Sequence, residues 1–134
     1  MAADFEMLLA TIETENETLK LAYGRLSRAI EKLDGNLTRL GARVRIDPYE
    51  IDKKSGLRIG YRRFEQTWRI STIMTGIAGM EAEVPVGETP PERQAALMPH
   101  LADLLERIGK AVADEVKNAK SAAETAEKLL IALG

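Results

Sequence analysis

The chain has no cysteine, which excludes disulfides, thiolate metal sites and a cysteine nucleophile. It has one histidine, His100, whose nearest acid in sequence is Asp103. General acid–base and metal chemistry need several convergent groups, so a lone histidine at a helix start reads as ordinary surface. Aromatic residues are only 4% of the 134 positions: Phe5, Tyr23, Tyr49, Tyr61, Phe64 and Trp68. A core poor in rings and rich in Leu, Ile and Ala suits helix packing. No apolar run approaches the roughly 20 residues that a membrane span needs. The opening MAADFEMLLA lacks a basic segment and a cleavage-type ending, so no signal peptide is expected. These absences point to a cytoplasmic protein without a membrane partner. Phosphate-loop, nucleophile-elbow, dinucleotide and zincin signatures are missing too, and no cofactor or metal is expected. The acids of DPYEID (Asp47, Glu50 and Asp52) lack calcium-loop spacing and read as loop acids beside Lys53 and Lys54.

Charge is present in quantity but segregated. Residues 1–35 hold 4 basic and 7 acidic groups, residues 36–75 hold 9 and 4, and residues 76–134 hold 6 and 10. A basic middle therefore lies between acidic flanks, although the whole chain carries a net charge of only −2.

The first segment predicts a helix over residues 1–35. Phe5, Ile12, Leu19, Leu26 and Leu33 recur every seven residues, and Leu8, Leu9, Ala22, Tyr23, Ala29 and Ile30 fill the spacing between them. That is one apolar stripe on a helical face. Asp34-Gly35-Asn36 is a stop signal, while Leu40 continues the repeat and would carry the helix toward Gly41. Gly24 suggests a close helix crossing.

Over residues 42–75 the period changes to two, with β-branched and aromatic residues, which predicts a three-stranded antiparallel meander. Val44, Ile46, Leu57, Ile59, Tyr61, Trp68 and Ile70 fall on one face. Arg43, Arg45, Arg58, Arg62 and Arg69 fall on the other, although a slip of one residue would flip a strand's contribution. Residues 76–88 read as a connector with a possible fourth strand near Glu83–Val86. In residues 89–133, Thr89-Pro90-Pro91-Glu92 predicts a capped helix start, and Pro99 must kink or break the last helix. Leu101, Leu105, Ile108 and Val112 begin a second apolar stripe that continues through alanines to Leu133.

The expected architecture is α+β in a single domain, residues 1–134: a long N-terminal helix, a three-stranded meander and a long C-terminal helix. Two helices of nearly equal length are expected to pack antiparallel. Each is too long for the meander to cover, so the stripe residues Ile12, Leu19, Leu26, Leu33, Leu101, Leu105, Ile108 and Val112 predict core and a homodimer interface. Functionally, the expectation is a non-enzymatic oligomeric interaction module engaging an acidic protein partner through the arginine face. The alternative is a nucleic-acid-associated protein that places the same five arginines on phosphates. No aromatic residue sits among those arginines, so base stacking there is not indicated.

Overall fold

The computed structural model describes residues 2–134, with side-chain surroundings from Asp4 onward. The α+β order is as expected, but with four strands: α1 (Ala2–Arg39), β1 (Ile46–Asp52), β2 (Leu57–Phe64), β3 (Thr67–Thr75), β4 (Glu81–Pro85), α2 (Pro91–Leu97) and α3 (Leu101–Leu133). The sheet is an antiparallel meander in the order β1-β2-β3-β4. β4 comes from the connector. Glu81 and Glu83 alternate with Ala82 and Val84, and the chain reverses through positive φ at Ala78 and Gly79.

β1 also departs from expectation. DPYEID is not a loop but most of this strand, and residues 42–45 lie outside any strand. Pro48 has no amide hydrogen to give the ladder, and the register is irregular between Ile46 and Tyr49. The β1 backbone passes so close to β2 that a Cβ on Gly60 would lie 2.8 Å from the Ile46 carbonyl oxygen. Asp52 accepts from the Lys54 amide and the Ser55 hydroxyl in the following turn, which holds its carboxyl below the usual range.

α1 does not stop at Asp34-Gly35-Asn36. Leu37 is buried in the core, so tertiary packing overrides the local signal. The helix closes instead at Gly41, with φ +75°: the Gly41 amide donates to Thr38 and the Ala42 amide to Leu37. Gly24 marks no close crossing, for a Cβ there would have only the Arg28 guanidinium within 4 Å. The expected cap on α2 does not form either. The Thr89 hydroxyl donates back to the Val86 carbonyl, and Pro90 occupies the cap position. Pro99 separates α2 from α3 through a short 3-10 turn, Met98–His100.

The core lies between one sheet face and parts of the helices. Ile30 and Leu37 of α1, Ile59, Tyr61 and Ile70 of the sheet, and Leu104 and Ile108 of α3 form one buried cluster with Val86 and Leu97. Tyr61 stacks on Trp68 at 5.6 Å between centroids, and its hydroxyl donates to the Ala42 carbonyl.

The two long helices do not pack along one another as expected. α1 rests on β3, α2 and the turn after β4, while α3 rests on β2. Their directions explain this. From Asp34 to Thr38, α1 moves from the Ile70 amide to the Trp68 carbonyl, backward along β3. From Asp103 to Asn118, α3 moves from Tyr49 past Ile46 to Arg43, backward along β1. β1 and β3 run the same way because each is antiparallel to β2. The helices therefore run in the same sense, and the free N-terminal half of α1 and the free C-terminal half of α3 leave opposite ends of the sheet.

Asp34 fastens α1 to the sheet. Its carboxylate accepts the Ile70 amide at 2.9 Å, where β4 has already ended, and faces Arg69 at 3.5 Å. Asp34→Ala leaves that buried amide unpaired and should cost about 1–3 kcal/mol in urea unfolding, whereas Asp34→Asn keeps an acceptor and should cost less. Burial raises the Asp34 carboxyl above its ordinary value, against the lowering effect of the Ile70 amide and Arg69. The folded state thus holds this proton more tightly than the unfolded chain. The group's contribution is fully present below the unfolded value and lost as pH rises through the folded one. The Asn variant should accordingly gain on the wild type as pH rises from the ordinary carboxylate range toward neutrality; a constant gap over that range contradicts this role.

Candidate functional site

β2 and β3 have the expected register. Arg62 lies opposite Arg69, so Arg58, Arg62 and Arg69 share the face away from Tyr61 and Ile70. Guanidinium groups directly opposite one another repel unless acids intervene, and here they do. Glu83 of β4, whose side chain is only 10% exposed, faces Arg45 at 3.5 Å and Arg62 at 3.8 Å and accepts the Ser71 hydroxyl at 2.7 Å. Arg45 also meets Asp47 at 2.6 Å, and Arg58 meets Glu81 at 3.5 Å. Arg69 spans Asp34 and Glu88, while Arg62 lies 4.4 Å from the Phe64 ring centre. Of the five arginines, Arg43 alone forms no ion pair among the described residues. The face is a laced polar layer, fastened mainly by strand acids. The fourth strand foreseen near Glu83–Val86 forms at Glu81–Pro85, and it places Glu81 and Glu83 opposite Thr75 and Ile73.

A smaller cluster ties β1 to α3. The Tyr49 hydroxyl donates to Asp103 at 2.7 Å, Arg107 donates to the same carboxylate at 3.0 Å, and the Arg107 guanidinium lies 3.7 Å from the Tyr49 ring centre. Burial first, and then the Asp103 hydrogen bond, push the Tyr49 hydroxyl up to about 12. The bonds from Tyr49 and Arg107 lower the Asp103 carboxyl. The raised phenol thus keeps the proton that it donates to Asp103. The adjoining groove, about 690 Å³, is open and lined by successive turns of α3 from Asp103 to Asp114 together with Ile46. No group of three or more potential metal-binding side chains occurs among the described residues.

The stripe residues divide into two sets. Leu26, Leu33, Leu101 and Val112 pack against the core, Ile108 lies within it, and Leu105 is exposed. Ile12 and Leu19 lie on the exposed part of α1. Residues 4–22 of α1 are exposed throughout, as are residues 113–133 of α3. These halves are nonetheless rich in large apolar side chains: Phe5 is 68% exposed, Leu9 64% and Leu130 70%. At 1.5 Å per residue, the two arms extend roughly 29 and 32 Å beyond their cover. No described helix is long and apolar enough to cross a membrane.

No protein-family model, curated protein or solved structure matches the chain.

Proposed function

We propose that this chain is a non-enzymatic, self-assembling interaction module, in which the long helices join copies and the laced sheet gives each copy a rigid body. One quantity carries this proposal. The chain exposes 10023 Å². A compact monomer of 14.8 kDa exposes only about 7,000 Å². The excess, about 3,000 Å² per chain, is more than the roughly 1,000–2,500 Å² that each partner contributes to most obligate dimers, and it coincides with arms whose apolar stripes are exposed. An acidic protein partner or a nucleic acid would need free guanidinium groups on the sheet, and four of the five are occupied by the chain's own carboxylates.

Sedimentation velocity tests the proposal. A dimer is expected at low micromolar concentration, with little change on raising salt, because the contact is apolar rather than ionic. A monomer at tens of micromolar overturns it.

A further inference from the structure

Building on that self-assembly, we infer that the exposed stripe of α1 is covered by the α3 arm of a second copy, running antiparallel to it, and that the second copy's α1 covers α3 in return.

The chain cannot satisfy its own stripes, because its two arms leave opposite ends of the sheet. A copy related by a two-fold axis brings an α3 arm beside each α1 arm. It does so at both ends at once, which closes the assembly and leaves neither stripe open to a third chain. A filament would be expected if the arms joined head to tail.

The side chains favour this pairing over like with like. In the exposed half of α1 the stripe alternates steps of four and three through Leu9, Ile12, Asn16, Leu19 and Tyr23. The exposed half of α3 does the same from Val112 onward. Cover by the sheet ends near Tyr23 on one helix and near Val112 on the other, both half-buried. Setting these two level brings every later stripe position of α1 opposite one of α3. Two of the matches join large to small, Leu9 with Ala126 and Ile12 with Ala123, while Leu19 meets Val116. Close approach along an alanine seam lets large side chains from the facing helix fill the space. Asn16 then lies opposite Ala119, a polar residue within an apolar seam, which fixes register at some cost in stability. At the flanks Glu13 lies beside Lys120, an opposite-charge pair, and Leu8 beside Leu129. The last match pairs two exposed leucines that flank the facing positions of the seam. Pairing α1 with α1 would instead place the acidic arms, each rich in Glu13, Glu15 and Glu17, side by side.

Because the chain contains no cysteine, single introduced thiols report the pairing without background. Ile12→Cys and Ala123→Cys would be prepared separately, mixed under exchange conditions and treated with a short bis-maleimide. Trp68 fluorescence would confirm that each variant is folded. The expected result is a covalent dimer in the mixture containing one chain of each variant, with little cross-linking of either variant alone, since the two Ile12 positions lie at opposite ends of the assembly. A dimer in which Ile12→Cys links to itself overturns the arrangement while leaving self-assembly intact. So does a double variant that closes within one chain. A protein that sediments as a monomer overturns both the assembly and this arrangement.

Discussion

Replacing Ile12 and Leu19 together with glutamate should convert the assembly to monomers while leaving the body folded. Both side chains lie on the arm of α1 and are exposed in the single chain, so their loss removes no contact that holds one copy together. In a two-fold assembly each contributes twice. Burying a large aliphatic side chain in full is worth about 1.5–3 kcal/mol; Ile12 is 63% and Leu19 46% exposed in the single chain, so the four contributions together weaken association by about 3–6 kcal/mol. At about 1.4 kcal/mol per tenfold, the dissociation constant should rise by a factor of roughly 10²–10⁴. Sedimentation across a dilution series reads this directly. The Tyr61–Trp68 pair gives a near-ultraviolet signal that should be unchanged in the monomer. A double variant that stays dimeric would show that the arms are not the joint.

Glu83→Ala should be the most damaging single change on the polar face of the sheet. It removes the acceptor of the Ser71 hydroxyl and the acid facing both Arg45 and Arg62. Arg62 suffers most, for its Nε is buried without a hydrogen-bond partner and Glu83 is its one ion-pair partner among the described residues. Uncompensated, partly buried charge is costly, but Arg45 is over half exposed and well screened, so the loss should be about 2–3 kcal/mol. In urea this lowers the midpoint by roughly 1 M. Glu83→Gln keeps a hydrogen-bond acceptor and should lose less. Glu81→Ala should cost under about 1 kcal/mol, since its pair with Arg58 is exposed on both sides. Equal effects at Glu81 and Glu83 would mean that the arginines are not held by a common acid and are free to engage something else.

The contrast between these two regions shows what the sequence made legible. Period-two alternation placed Leu57, Ile59 and Tyr61 against Trp68 and Ile70, and the observed register agrees. The seven-residue repeat marked α1 correctly because packing and periodicity coincide over Leu26, Ile30, Leu33 and Leu37. Of its two candidate ends the later one, toward Gly41, holds, because Asp34 serves the Ile70 amide rather than a helix stop, a contact 36 residues away in sequence. The arginine face was found, but the β4 acids that neutralise most of it were not. Glu83 reaches Arg45 only after β4 folds beside β3, and no local pattern reports a partner 38 residues distant. The expected antiparallel helix pair failed for a topological reason. Helix length and amphipathicity do not encode the sense in which two helices cross a sheet. That sense follows from β1 and β3 running alike, which requires the whole meander. The excess of apolar stripe over available cover, by contrast, was visible from lengths alone, and both arms are exposed in the fold.

Hydrogen exchange of the arm amides at high and low protein concentration tests most directly whether a second copy covers the helices. Residues 5–22 and 113–130 have no tertiary cover in one chain. Amides in such uncovered helix should exchange fast in a dilute monomer, because isolated helices of this length are marginal in water. The expected result is strong, concentration-dependent protection of both arms together, matching the onset of dimer in sedimentation. Arms that exchange at the unprotected rate while the protein is dimeric, with protection confined to the sheet and to α1 beyond Leu26, would contradict assembly through the helices.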